Sequence, residues 1–83
     1  MTRVVLFGRP GCHLCDEARL VLQRVRATHP FALEERNIED DDDLLRRYLE
    51  RIPVVTVDGE EWFQFFVDES KLRAQLGGRV GGE

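Results

Sequence analysis

The sequence predicts an α/β domain in the order β-α-β-α-β-β-α, with a four-stranded mixed sheet and three helices. Three observations predict it. A short apolar run, Arg3 to Phe7 (RVVLF), ends at Gly8 and leads into a helical stripe from Leu14 to Val25. A second extended segment, FALEERNI, follows at the spacing of a βαβ unit, which implies two parallel strands. Further on, VVTV and a returning apolar run flank Asp58-Gly59, a two-residue hairpin signal.

Each element has its own justification. RVVLF is rich in β-branched residues and apolar from Val4 to Phe7, as a buried strand should be. From Cys12 to about Thr28, Leu14, Ala18, Val21, Leu22 and Val25 recur at spacings of three and four, a core-facing stripe. Asp16 and Glu17 lie in the first turn and Arg24 and Arg26 near the end, in keeping with the helix dipole. His29-Pro30 stops this helix. Phe31 to Ile38 alternates loosely and reads as the second strand. The aspartates Asp40 to Asp43 cap a short helix to about Leu49, with Leu44, Leu45, Tyr48 and Leu49 inward. Pro53 opens the strand Val54 to Val57, and Glu61 to Val67 returns. Asp68 or Ser70 caps a last helix through Leu76, which Gly77-Gly78 ends. Residues 1–76 thus form the domain, and 77–83 read as a flexible tail.

Composition narrows the function classes. The chain has 83 residues, enough for one small domain, and 42% of them are apolar, enough for a packed core rather than disorder. A net charge of -4, with scattered arginines, argues against a nucleic-acid surface. The opening MTRVVLFG has four consecutive apolar residues, too few for a leader or a membrane span. The expectation is a cytoplasmic monomer with no nucleic-acid or membrane partner.

Chemistry concentrates in GRPGCHLCDEA, which holds the only two cysteines, Cys12 and Cys15. In a reducing compartment such a pair is more often catalytic or metal-binding than a staple. Cys12 follows a turn and starts a helix, where free N–H groups and the dipole favour a thiolate. Cys15 lies almost one turn on, its sulfur on the same side, placed to resolve a mixed disulfide at Cys12. Arg9, three residues before Cys12, adds positive charge, and His13 between the cysteines would do so when protonated. A structural zinc site needs about four ligands. The other histidine, His29, is a helix length away, roughly 25 Å at about 1.5 Å per residue. The residues favour a redox pair while leaving a metal site and an inert pair open.

Trp62, Phe63, Phe65 and Phe66 form an aromatic cluster, half of which strand alternation turns to the core. The remainder meet a helix, solvent or a partner. Arg51, next to Ile52, is placed to approach the cysteines.

These residues resemble the glutaredoxins, over nearly the whole chain. That family carries Lys-Pro-x-Cys-x-x-Cys at a helix start and, later, an apolar residue before a cis-proline that opens a strand. Arg9-Pro10-Gly11-Cys12-His13-Leu14-Cys15 matches the first motif with Arg for Lys, and Ile52-Pro53-Val54-Val55 matches the second. The resemblance implies a thioredoxin-like fold and disulfide exchange, with Cys12 the nucleophile and Cys15 the resolving thiol. It implies a cis Ile52–Pro53 bond beside the sulfurs, with the main chain of Ile52 free to pair with substrate. Arg9, His13, Leu14, Ile52, Pro53 and Asp68 are the implied substrate-binding residues.

The departures concern the partner. His13-Leu14 stands where glutaredoxins usually have Pro-Tyr, and Phe65-Phe66-Val67-Asp68-Glu69-Ser70 where they have Gly-Gly and Asp. Asp68 and Ser70 still offer acceptors and N–H groups at a helix N-terminus. The Trp-Cys-Gly-Pro-Cys of thioredoxins is absent as well. The expectation is a thiol–disulfide oxidoreductase with no metal and no cofactor beyond its Cys12–Cys15 disulfide, glutathione being left open as a ligand. Its substrate is a disulfide-containing protein or glutathione, and its electron donor glutathione or a reductase. The alternatives are a binding adaptor with little turnover and an iron–sulfur or zinc carrier using Cys12.

Overall fold

The computed structural model describes residues 2–81. Its elements are β1 (Arg3–Gly8), α1 (His13–Thr28), β2 (Ala32–Asn37), a 3-10 turn (Ile38–Asp40), α2 (Asp42–Tyr48), β3 (Val54–Val57), β4 (Glu60–Gln64) and α3 (Glu69–Gly81). The expected element order holds, with the 3-10 turn added. The sheet order is β2-β1-β3-β4. β1 runs parallel to β2 and antiparallel to β3, which pairs antiparallel with β4.

Alternation along the strands divides the core into two layers. Val4 and Leu6 of β1 and Val55 and Val57 of β3 pack against Ala18, Leu22 and Val25 of α1 and Leu72 and Leu76 of α3. Phe7 and Val54 point to the other face, where Ile38, Tyr48, Leu44 and Leu45 cover them. β3 is buried along its whole length, which explains why VVTV shows no polar alternation.

Local chemistry sets the element ends. Asp41 caps α2, its Oδ1 accepting the N–H groups of Asp43 at 2.8 Å and Leu44 at 3.3 Å. Asp68 caps α3 by accepting the Lys71 N–H at 3.0 Å. Asp58 and Gly59 both take positive φ, 52° and 87°, the backbone a two-residue β-hairpin turn requires.

Four expectations need correction. Leu14 and Leu49 are 47% and 42% exposed rather than inward, because each lies at an end of its helix, beyond the packed stripe. β4 ends at Gln64, not Val67, because Phe65 turns to φ 72° and leaves the extended region. Phe65 and Phe66 are therefore both exposed, while Trp62 and Phe63 pack on the core. α3 continues through Gly77-Gly78 to Gly81. Only residues 82 and 83 of the expected tail lie outside the described residues.

Candidate functional site

The two cysteines occupy the loop-to-helix junction after β1. Gly11, at φ 80°, makes the turn that no side-chain-bearing residue enters readily. Cys12 then takes an extended conformation and becomes the N-cap of α1. Its Sγ accepts the Cys15 N–H at 3.1 Å, so the sulfur sits where a helix presents unpaired donors. This geometry favours negative charge on Cys12 when the thiol is free. In the structure the sulfurs are bonded as a Cys12–Cys15 disulfide with the Cα atoms 5.2 Å apart. Cys12 is half-buried and Cys15 is 2% exposed, so the outer sulfur meets a partner first.

Gly8 lets the helix come this close. A β carbon at position 8 would lie 2.8 Å from Cys15 Sγ. Gly8 marks the end of a strand in the sequence, and nothing there gives its contact with a sulfur seven residues further along the chain. The β1–β3 register pairs Phe7 with Val54. Continued by one residue, it sets Gly8 opposite Pro53. The Ile52–Pro53 bond is cis, as the resemblance implies. Pro53 is fully buried and Ile52 half-buried. Among the described residues no group hydrogen-bonds the N–H or C=O of Ile52. That main chain is therefore available for a short strand-like pairing. Its neighbours are tied down, since Phe65 N–H donates to the carbonyls of Arg51 at 3.3 Å and Pro53 at 2.9 Å.

The remaining expected site residues scatter around this centre. Arg9 and Pro10 line a cavity of about 260 Å³ together with Gly8, Cys15, Asp16 and Arg19. Arg9 is half-exposed, with a long 3.9 Å ion pair to Glu39. Arg19 is held across that cavity by Asp16 and Glu35, both at 2.9 Å, and these bonds push its pKa up. His13 lies on the helix surface, its Nε2 2.9 Å from Glu17. Leu14 opens onto a separate groove of about 230 Å³ with Phe65 and Phe66. Asp68 has its carboxylate on a backbone N–H as a helix cap. Arg51 does not turn to the cysteines. It reaches Gln64 at 2.9 Å and Glu61, and stacks on Tyr48 at 5.4 Å.

Phe65 is the residue the sequence conceals. A bulky aromatic at positive φ is rarely tolerated, and such strain gathers at functional positions. Only a glycine at this position would have signalled the turn.

The family model for the Glutaredoxin-like domain (DUF836) matches residues 3–77. The glutaredoxin-like protein YDR286C homolog of Dictyostelium discoideum is 30% identical over 78 residues, spanning 84% of this chain and 70% of that protein. Protein Ne2328 from Nitrosomonas europaea superposes with a TM-score of 0.78 at 33% identity, over 89% of each chain. A mutant thioredoxin from Halobacterium salinarum NRC-1 superposes with a TM-score of 0.69 at 17% identity, over 93% of this chain and 73% of that one. At that identity the likeness shows a shared fold, and the fold is thioredoxin-like. Among the described residues, no helix is long and apolar enough to cross a membrane.

Proposed function

This chain belongs to the glutaredoxin-like domain family, and we propose that it is a thiol–disulfide oxidoreductase. The observation that carries the reading is the Cys12–Cys15 pair at the N-cap of α1, the outer sulfur accessible and the inner one buried. In the reduced protein, the Cys12 thiolate attacks one sulfur of a substrate disulfide. The other substrate sulfur leaves as a thiolate and takes a proton from solvent. Cys12 is then joined to substrate in a mixed disulfide. Cys15 loses its proton and attacks Cys12 Sγ, which expels the second substrate thiolate. Two electrons have passed from the cysteine pair to substrate, and the Cys12–Cys15 disulfide is the product. A dithiol or two monothiols must reduce it for the next cycle.

The surroundings support this sequence. The free main chain of Ile52 can hold an extended substrate segment beside the sulfurs. Gly8 lets Cys15 sit under Cys12, shielded from direct attack by solvent species.

The experiment is reduction of a disulfide-bonded peptide by the pre-reduced protein, followed by alkylation and mass spectrometry. The wild type transfers two electrons per chain, and Cys12→Ser transfers none. Equal activity of Cys12→Ser and wild type overturns the reading.

A further inference from the structure

We propose that the groove formed by Leu14, Ala18, Val21, Phe65 and Phe66 receives an apolar side chain that flanks the reacting cysteine of a protein substrate, and that it disfavours glutathione. This rests on the exchange reading above and names its substrate class.

Three observations converge on it. The groove begins at Leu14, one of the two residues between the cysteines, and encloses about 230 Å³, room for one large aliphatic side chain. Its rim is apolar yet open to solvent: Leu14 is 47%, Phe65 46% and Phe66 67% exposed. Such residues grouped beside a reactive sulfur mark a contact surface rather than a core. The groove is also continuous with the substrate-pairing main chain. Phe65 N–H holds the two carbonyls that flank Ile52, and this bond accompanies its positive φ of 72°. A substrate strand lying along Ile52 alternates its side chains, so one next to its cysteine falls over Leu14 and Phe65.

Charge decides which substrate. Among the described residues no basic side chain lines the groove, and the charged one that does is Glu17. Asp68 follows immediately after Val67, which also lines it. Each glutathione unit carries two carboxylates against one ammonium, a net negative charge, and among the described lining residues of this acidic, apolar groove no cation is present to receive it. A neutral apolar protein segment has no such cost and buries carbon surface on Leu14 and Phe66.

The test compares second-order rates of the pre-reduced protein with three disulfides. These are a peptide disulfide with leucine on both sides of each cysteine, its twin with serine, and oxidised glutathione. Each rate is divided by the rate with dithiothreitol, which removes intrinsic reactivity. The leucine peptide reacts about tenfold faster than the other two, the selectivity that one partly buried leucine side chain supports. Phe66→Ser brings the leucine-to-serine ratio to about twofold or less, and Phe66→Leu retains most of it. Phe65→Gly lowers the ratio without lowering the melting temperature, because glycine accepts positive φ.

The proposal is overturned by equal rates for the leucine and serine peptides, by a ratio that Phe66→Ser leaves intact, or by oxidised glutathione matching the leucine peptide. It is overturned also if Phe65→Gly melts well below wild type, which would make the ring a packing element. A dimer that Phe66→Ser dissociates would assign the groove to a second copy and overturn it too. If Cys12→Ser reduces all three disulfides at the wild-type rate, the exchange reading itself fails, and the two failures are separate.

Discussion

Replacing Gly8 by alanine puts a methyl group where Cys15 already sits. The new β carbon would lie 2.8 Å from Cys15 Sγ and 3.1 Å from Cys15 Cβ. Favourable separations between unbonded carbons are about 3.5–4.0 Å. One of the two elements must therefore move. Cys15 is buried in the first turn of α1, and Gly8 is the last residue of a central strand. Gly8 is not among the positive-φ residues, so alanine there brings no backbone strain. The cost is overpacking, about 1–3 kcal/mol. For a domain of this size a loss of about 2 kcal/mol lowers Tm by roughly 8–16 °C. Thermal unfolding followed by circular dichroism measures it. Repeating Gly8→Ala in a Cys15→Ala background removes the sulfur it would strike, and there the cost falls by about 1 kcal/mol or more. A Tm within about 2 °C of wild type, or the same cost in both backgrounds, refutes the contact argument.

Two further predictions concern the frame that holds the site. Asp41→Ala removes the acceptor for the Asp43 and Leu44 N–H groups, so stability falls by about 1 kcal/mol and Tm by roughly 4–8 °C. Asp41→Asn keeps an acceptor and loses much less, and equal losses in chemical unfolding would contradict the cap. Glu69 joins α3 to α1, and its hydrogen bonds from Arg24 and then Arg73 hold its carboxyl below the ordinary range. A carboxyl lowered on folding stabilises fully above its unfolded value of about 4.3, and the gain is lost as pH falls through the lower folded value. Melting temperature therefore declines from pH 6 towards pH 3, and Glu69→Gln shows a shallower decline over that range. Parallel declines would mean that Glu69 contributes nothing to the pH dependence.

What the sequence discloses about this fold follows from how locally each feature is determined. RVVLF, the stripe through Ala18, Leu22 and Val25, and Asp58-Gly59 are each decided by a few neighbours, and all three appear as expected. The placement of Cys12 at a helix start is equally local, since a glycine turn precedes it. Leu14 and Leu49 misled because periodicity identifies a helix face and not how far the neighbouring layer reaches along it. Gly77-Gly78 usually ends a helix, yet here α3 carries on through both residues. The strand after Asp58-Gly59 stops early for a non-local reason. Phe65 gives its N–H to Arg51 and Pro53, residues twelve or more positions earlier, and this pairing bends the chain. No pattern in Glu61 to Val67 encodes it.

The site divides along the same line. Cys12 and Cys15 were legible because spacing and helix position together define their chemistry. Pro53 entered through the family resemblance, and its place opposite Gly8 required the β1–β3 register. Gly8 reads in the sequence as a strand terminator, and its second role against Cys15 follows only from the packing of α1 on β1. His13 and Asp68 turned out to have local partners, Glu17 and the Lys71 N–H. The exposed Phe65 and Phe66 emerged only once β4 was seen to end before them.

The central claim is that Cys12 is the attacking sulfur and Cys15 the resolving one. Cys15→Ser tests it most directly, because it removes the second step and leaves the first. The reduced variant is mixed with a disulfide-bonded peptide and the products are mapped by mass spectrometry without reductant. The expected product is a stable mixed disulfide between one half of the peptide and Cys12, formed with release of one thiol per chain. A Cys15→Ser protein that forms no adduct at Cys12, while the wild type still reduces the same peptide, would contradict it.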